Sequence, residues 1–232
     1  HAGYVYSGQT AAYAYKAIQN LTPEIIIIFS PLHAPANSAV FTTSHCHYQT
    51  PLGQTPVGLD LITSVKDSLD QKEIRMVSLS NDSEHSIEIQ LPFLHTIYQH
   101  DFKVVPIMLR TLSVQMIKTL SEVIHNFLDQ QSYLLIASTD LSHFHSAIQA
   151  YEMDKTMIGS FHSMDPELVL NTARSGKGAA CGVGAVAATI ALNNLIGPST
   201  LTDLKYSHSG EVSGDFDSVV GYYSGVIFQP ND

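Results

Sequence analysis

The chain has 232 residues, of which 44% are hydrophobic and 14% are charged, and its formal net charge is −10. This composition is typical of a globular protein with a sizeable core and excludes a disordered chain. The absence of any basic run argues against nucleic acid as a partner, and no apolar stretch approaches the roughly 20 residues of a membrane helix.

Cysteine is rare and histidine is abundant. Cys46 and Cys181 are too few for a disulfide framework, so we interpret both as thiols in a reducing compartment. No signal peptide is visible, and we therefore predict a cytoplasmic protein. Twelve His outnumber the eleven Lys plus Arg, which indicates a site. Since the sequence does not begin with Met, we also expect the chain to have been trimmed ahead of His1.

In the first half of the chain, helical periodicity alternates with short apolar runs. In chain order the patterns predict a helix over 9–20, a strand over 23–30, a β-hairpin over 39–53, a helix over 57–71, a strand over 75–82 and a helix over 83–99 interrupted at Pro92. The Ile run in the first strand is typical of a strand buried on both faces of a parallel sheet.

The second half continues the alternation. The patterns predict a strand over 102–110, a helix over 113–130, a strand over 132–145 that runs into a polar loop, helices over 150–164 and 166–173, a helix beginning near Cys181, and strands over 200–210 and 218–228. We therefore expect an α/β protein: a single three-layer αβα sandwich with a mainly parallel central sheet, forming one domain over residues 1–232.

Polar clusters follow three predicted strands at the point where each strand ends. They contain His33, Glu84, His85, Asp140 and His143. Because the carboxyl ends of parallel strands meet at one edge of a sheet, we expect these side chains to gather there. His1 would join them from a loop ahead of the first helix.

All three clusters also have purely structural interpretations. Asp140 could orient His143 as an acid/base pair, or it could cap a turn beside an exposed histidine. His33 could be a ligand held rigid between two prolines, or it could belong to an ordinary surface loop. EHSIE is not a zinc-protease motif and could be the acidic start of a solvated helix, with His85 its most informative member.

Cys181 lies among small residues near a predicted helix N-terminus, which favours the thiolate. The alternative is a buried structural cysteine. Cys46 is interpreted as a packing or hairpin-surface residue. Four histidines are assigned to helix surfaces or ends, namely His95, His100, His125 and His162. Four others stay undecided, namely His45, His47, His145 and His208.

Several motifs occur together in order. They are HAGYVYSG at 1–8, PLHAPA at 31–36, EHSIEIQLPFL at 84–94, STDLSH at 138–143, ACG at 180–182 and YSHSGEVSGD with SVVGYYS between 206 and 224. Together they resemble the Memo family over essentially the whole chain. The resemblance implies a fold similar to that of the class III extradiol dioxygenases, which use non-haem iron.

The resemblance also implies a pocket that can hold a metal. Its metal ligands would be His1, His33 and Cys181, with Asp140 and His143 facing the pocket. His85 is placed nearby as a further catalytic candidate. The residue before His33 is Leu, where many relatives have a small polar residue, so the hydrogen bonding around His33 is expected to differ.

Two imidazoles and a thiolate suit iron, copper or zinc, and thiolate softness favours copper(I). We therefore expect an iron(II) or copper cofactor and a dioxygenase-like or other metal-dependent redox activity, with His143, oriented by Asp140, moving the proton. The alternative is a non-catalytic binding module that uses the pocket for a peptide, an anionic or small-molecule ligand, or metal sequestration. In a third interpretation, His1 is a processed N-terminus that chelates copper, against which the thiols argue.

Overall fold

The structure is a computed structural model that describes residues 1–80, 84–110, 112–128 and 132–229. Its helices are α1 (Tyr4–Ile18), α2 (Leu59–Asp70), α3 (His85–Glu88), α4 (Leu91–Ile97), α5 (Val114–His125), α6 (Ala147–His162), α7 (Pro166–Arg174), α8 (Val183–Ile196) and α9 (Gly210–Ser213). Its strands are β1 (Ile25–Pro31), β2 (Val40–Thr43), β3 (His47–Thr50), β4 (Gly53–Pro56), β5 (Met76–Leu79), β6 (Lys103–Leu109), β7 (Tyr133–Ala137), β8 (His143–His145), β9 (Thr200–His208) and β10 (Val219–Phe228).

The central sheet has five strands in the order β5-β2-β6-β1-β7. β1 runs parallel to β6 and β7, and β2 runs parallel to β5 but antiparallel to β6. Residues 26–29 of β1 are fully buried, as the Ile run predicts for a strand covered on both faces. Helix α8 packs on β1 and β7, with α5 and α7 against it, and α3 contacts β1. The predicted αβα sandwich with a mainly parallel sheet is confirmed.

A second sheet is antiparallel and has the order β8-β10-β9. The two strands predicted near the C-terminus, β9 and β10, form its long ladder, and α1 packs against both. No helix of the described residues is long and apolar enough to cross a bilayer.

The predicted hairpin over 39–53 is wrong in its first arm. Residues 40–43 form β2, which is buried along its whole length and pairs with β5 and β6 in the central sheet. The actual hairpin is β3–β4, one segment further along the chain. Four β-branched and aromatic residues suit an internal strand as well as a hairpin arm, and burial on both faces decides between them.

The helix predicted over 83–99 consists of two helices, and the break does not lie at Pro92. Helix α3 ends at Glu88 and α4 begins at Leu91, which places Pro92 in the first turn, where its missing N–H is not needed. Residues 81–83 and 129–130, at the ends of predicted elements, lie outside the described residues.

Helix α1 begins earlier than the sequence predicts. The expected start is residue 9, but the helix begins at Tyr4, with Gly3 as its N-cap in an extended conformation. His1 therefore lies immediately ahead of the first helical turn, with little chain between it and the helix.

Candidate functional site

The carboxyl ends of β1 and β7 carry the candidate site. His33 lies two residues beyond β1, and Ser138 and Asp140 follow β7 directly. His1 enters from the chain ahead of α1, and Cys181 lies two residues before α8. Neighbouring parallel strands end at the same edge of the sheet, so these segments converge there.

Three imidazoles form the centre of the site. The ring centroids of His1 and His33 are 5.5 Å apart, those of His1 and His85 5.7 Å, and those of His33 and His85 5.4 Å. One ring nitrogen from each histidine lies within 4.8 Å of the other two. The three rings can therefore supply ligands to one metal ion.

Glu84 holds His33 in place. The backbone N–H of His33 donates to Oε2 of Glu84 at 2.7 Å, and Nδ1 of His33 lies 3.0 Å from each carboxylate oxygen. Burial alone would raise the pKa of Glu84, but the hydrogen bonds from His33 and Ser86 outweigh it and lower the pKa. Glu84 is thus an ionised acceptor that engages Nδ1 and leaves Nε2 of His33 free for a ligand.

His1 is buried and is held at three of its atoms. Its backbone nitrogen donates to Oδ1 of Asp140 at 2.8 Å, and its Nδ1 lies 2.8 Å from Oγ of Ser138. Its Nε2 lies 3.2 Å from Sγ of Cys181. By contrast, the side chains of His33 and His85 are 42% and 60% exposed. The imidazole cluster therefore has one fixed inner member and two members at its mouth.

Cys181 belongs to a second group of possible metal ligands, with His1 and Asp140. The group of three histidines does not contain Cys181, and His1 is common to both. The ligand set expected from the sequence, His1, His33 and Cys181, therefore spans the two groups. It contains His1, which both groups share, together with His33 from the first group and Cys181 from the second.

The Cys181 side chain is a thiol, contrary to the thiolate that its place near a helix start suggests. Burial, followed by the negative charge of Asp140, raises the pKa of Cys181 to about 11. The backbone N–H of Asp140 donates to Sγ at 3.2 Å but does not offset these effects. Burial thus dominates over the helix end.

The two cysteines are therefore expected to react differently with iodoacetamide. At pH 8 the exposed Cys46 is alkylated, whereas Cys181 reacts slowly because it is partly buried and protonated. The rate at Cys181 rises as the pH approaches 11. Peptide mass spectrometry of the native protein measures both rates, and Cys46→Ser isolates the slower site. Faster alkylation of Cys181 than of Cys46 at pH 8 would contradict the burial of the thiol.

Asp140 and His143 share no hydrogen bond in the described part of the chain. The Asp140 carboxylate accepts from the backbone of His1 instead. His143 lies in β8, and its buried Nε2 has no hydrogen-bond partner among the described residues. His143 acts instead on the buried Asp154, whose pKa is raised by burial and only partly lowered by its hydrogen bonds and by His143. The expected orientation of His143 by Asp140 thus lacks its contact.

A cavity of about 540 Å³ adjoins His1. Its walls come from α1, β7, α8 and β10, and Ser138, Thr139 and Asp140 lie at its polar end. Most of the remaining wall is apolar, so one side of the His1 imidazole faces an apolar cavity, while the side chains of His33 and His85 are partly exposed to solvent.

Sequence reasoning did not single out Ser138 and Gln90. Ser138 lies next to the Asp140 motif at the end of β7, where polar side chains were already expected to gather, so its position could have indicated it. Gln90 falls between α3 and α4 and reaches Ser138 across the fold at 2.9 Å. Only the three-dimensional structure reveals that contact.

Known proteins are similar to this chain over nearly its whole length. A family model described as "Memo-like protein" matches residues 1–226. The chain belongs to the Memo family. Proteins named as MEMO1 family members are 35% identical over 222 residues in Nitrosopumilus maritimus and 34% identical over 232 residues in Methanopyrus kandleri. These matches cover 96% and 99% of this chain, and 80% and 81% of the relatives.

A solved structure also resembles the fold. It is the crystal structure of an uncharacterized protein from Escherichia coli K12, with a TM-score of 0.53, 11% sequence identity and coverage of 91% of each chain. At this identity the likeness concerns the fold alone. The Memo family membership expected from the sequence motifs is confirmed. Within the described part of the chain, the structure contains two groups of residues that could hold a metal ion.

Proposed function

We propose that this Memo-family protein binds one redox-active transition-metal ion, iron(II) or copper, on His1 and its neighbouring histidines. The observation that carries the proposal is the convergence of ring nitrogens from His1, His33 and His85 within 4.8 Å of one another. Three neutral imidazoles on one side of a cation form a site that suits iron, copper, nickel or zinc.

The residues present fit such an ion. Glu84 engages Nδ1 of His33 and Ser138 engages Nδ1 of His1, so both rings direct Nε2 towards the site. Carboxylate and hydroxyl partners of this kind orient metal-bound histidines in proteins. The exposed sides of His33 and His85 would leave coordination positions open, which supports a reactive rather than a structural site.

Cys181 is the further ligand in the proposal. Its Sγ is 3.2 Å from Nε2 of His1, and adjacent nitrogen and sulfur ligands on one metal are separated by about 3.1–3.6 Å at ordinary bond lengths. The thiol must lose its proton to bind, because a thiolate is the ligand form. The imidazoles would therefore bind first, and Cys181 would join them upon deprotonation.

The proposed activity is a dioxygenase-like oxidation of a small organic molecule. The metal would supply a position at which O₂ or a substrate oxygen is bound. The protein would hold the rings through Glu84 and Ser138, and a mostly apolar cavity wall would lie beside His1. Proton transfer by His143 stays a prediction. Both cysteines are free, which supports a reducing, cytoplasmic environment.

A second candidate is a binding module that holds a metal, a small molecule or a peptide without turnover. One observation favours it. Of the two carboxylates at the site, Glu84 is engaged by His33 and Asp140 by the backbone of His1. Both oxygens of Glu84 are occupied, and Asp140 could complete the facial set of two histidines and one carboxylate found in many iron oxygenases only through its second oxygen. Consumption of O₂ separates the two candidates.

The test is the metal content of protein purified without chelator and loaded anaerobically with Fe(II) or Cu(I). We expect about one ion per chain in the wild type, loss of the ion in His33→Ala, and retention in His162→Ala, which alters a surface histidine paired with Asp203. No bound ion in the wild type would overturn the proposal. O₂ uptake with a catechol or another reductant, lost in His33→Ala, supports the enzyme, and binding without uptake supports the module.

A further inference from the structure

A row of buried polar side chains leads from the core to His1. Oη of Tyr15 donates to Oε1 of Gln90 at 2.6 Å, and Nε2 of Gln90 donates to Oγ of Ser138 at 2.9 Å. Oγ of Ser138 lies 2.8 Å from Nδ1 of His1. All four residues are less than 9% exposed, so their polar atoms are expected to be hydrogen-bonded, and these contacts supply the partners.

The protons in this row can be assigned from Ser138 outward. Its hydroxyl has one proton and two lone pairs. The proton goes to the carbonyl oxygen of Ser86 at 2.7 Å, because a carbonyl can only accept. One lone pair accepts from the amide of Gln90. Only the second lone pair remains for His1, so Nδ1 of His1 must carry the hydrogen.

The orientation of the Gln90 amide is fixed from both ends. Its Nε2 also lies 3.4 Å from the carbonyl oxygen of Ser86, and a flipped amide would place two acceptor oxygens against each other there. At the other end, the Tyr15 hydroxyl supplies a donor to Oε1. Burial raises the pKa of Tyr15, so the phenol keeps the proton that it donates. Tyr15 stacks on Phe93, with ring centroids 4.7 Å apart, which holds the phenol in place.

We propose that Tyr15, Gln90 and Ser138 form a positioning relay that fixes His1 as the Nδ1–H tautomer, with the Nε2 lone pair directed into the site. The use of that lone pair for a metal rests on the function proposed above, but the tautomer itself does not. The other tautomer would require Ser138 to donate to His1, which leaves the Ser86 carbonyl without its 2.7 Å donor. It would also place a hydrogen on the nitrogen that faces Cys181.

The tautomer is tested first, in metal-free protein. Nitrogen-15 NMR of the histidine side chains, assigned by comparison with His1→Gln, reports which ring nitrogen carries the hydrogen. At pH 8 we expect Nδ1–H for His1 in the wild type and in Ser138→Thr, which keeps a hydroxyl. We expect a mixture of tautomers in Ser138→Ala and Gln90→Leu. A predominant Nε2–H tautomer in the wild type, or an unchanged tautomer in both deletion variants, would overturn the relay.

The second arm measures the dissociation constant for Fe(II) and for Cu(I) against a competing chelator. Ser138→Ala is expected to bind about 10–100-fold more weakly, the usual cost of removing a partner behind a metal-bound histidine, with recovery in Ser138→Thr. Ser121→Ala is the matched control, because it also removes a buried hydroxyl bonded to a backbone carbonyl, in α5. Wild-type affinity in Ser138→Ala would contradict the relay.

The two arms separate the relay from the metal site. Absence of metal binding in the wild type together with an Nδ1–H tautomer that depends on Ser138 would refute the proposed function and leave the relay intact. Metal binding by a protein in which Nε2 of His1 carries the hydrogen would refute the relay and leave the proposed function intact. Melting temperatures of Ser138→Ala and Ser121→Ala show whether any loss of affinity merely follows from unfolding.

Discussion

Replacing His1 by Ala is expected to reduce the affinity for Fe(II) or Cu(I) by more than about a hundredfold. This exceeds the loss expected when only a hydrogen-bonding partner of a metal-bound histidine is removed. His1 is the member common to both groups of possible ligands, with His33 and His85 on one side and with Cys181 on the other. Its ring is also the most deeply buried of the three imidazoles. Glu84 holds His33 at the exposed side of the site, so His33 is not positioned to replace the buried ring of His1.

The measurement is a competition titration of His1→Ala and the wild type, with Cys181→Ser and His162→Ala alongside. Cys181→Ser is expected to have a smaller effect than His1→Ala, because it leaves the three-histidine group complete. His162→Ala should bind as the wild type does, since its partner Asp203 belongs to β9 and takes no part in the site. Near-normal affinity in His1→Ala with loss in Cys181→Ser would contradict a centre built on His1.

The second large effect is predicted for Gly182→Ala. A Cβ at this position would lie 2.4 Å from the carbonyl oxygen of Ser138 and 2.8 Å from Cβ of Thr139, both on the loop that follows β7. Backbone contacts of this kind cannot be relieved by rotating a side chain. We expect the free energy of unfolding to fall by about 2–3 kcal/mol, in the upper range for an overpacked site. Metal affinity should fall as well, because the clash pushes Ser138 away from His1.

Urea denaturation compares this variant with Gly184→Ala, two residues further along the chain and inside α8. There a Cβ meets no atom closer than 3.6 Å, which is an ordinary contact. Gly184→Ala should be neutral or stabilising by up to about 1 kcal/mol, because alanine favours the helix. Equal effects of the two substitutions would show that close approach at Gly182 is not what holds the β7 loop against α8.

The sheet and most helices could be predicted because their signals are local. The Ile run of β1 and the amphipathic pattern of α5 each identify an element without reference to the rest of the chain. The error at β2 has a physical cause, since a short β-branched segment is equally suited to a hairpin or to an internal strand. Its partners β5 and β6 lie far along the sequence and decide the outcome.

The site could be predicted only as a gathering of residue types. Strand ends and motifs indicated His1, His33, His85 and Cys181, and the structure brings all four to one edge of the sheet. Which residues of the site contact one another was not predictable from their spacing in the sequence. Asp140 precedes His143 by three residues but contacts the backbone of His1, 139 positions away, since the loop after β7 directs its carboxylate towards the start of α1.

The thiol state of Cys181 was likewise hidden from the sequence. A place near a helix start favours thiolate, but the degree of burial, which the sequence does not reveal, has the larger effect. The same holds for the row from Tyr15 to His1. Its members come from α1, the α3–α4 junction and the β7 loop, and only folding makes them neighbours.

The most direct test of the metal site is a crystal structure of protein loaded with Fe(II) or Cu(I), with diffraction data collected on both sides of the metal absorption edge. An anomalous peak about 2.0–2.1 Å from ring nitrogens of His1, His33 and His85, or with sulfur of Cys181 about 2.3 Å away in place of one of them, is the expected result. A peak at some other position, with the His1 imidazole still bonded to Cys181 and Ser138 alone, would contradict the metal site.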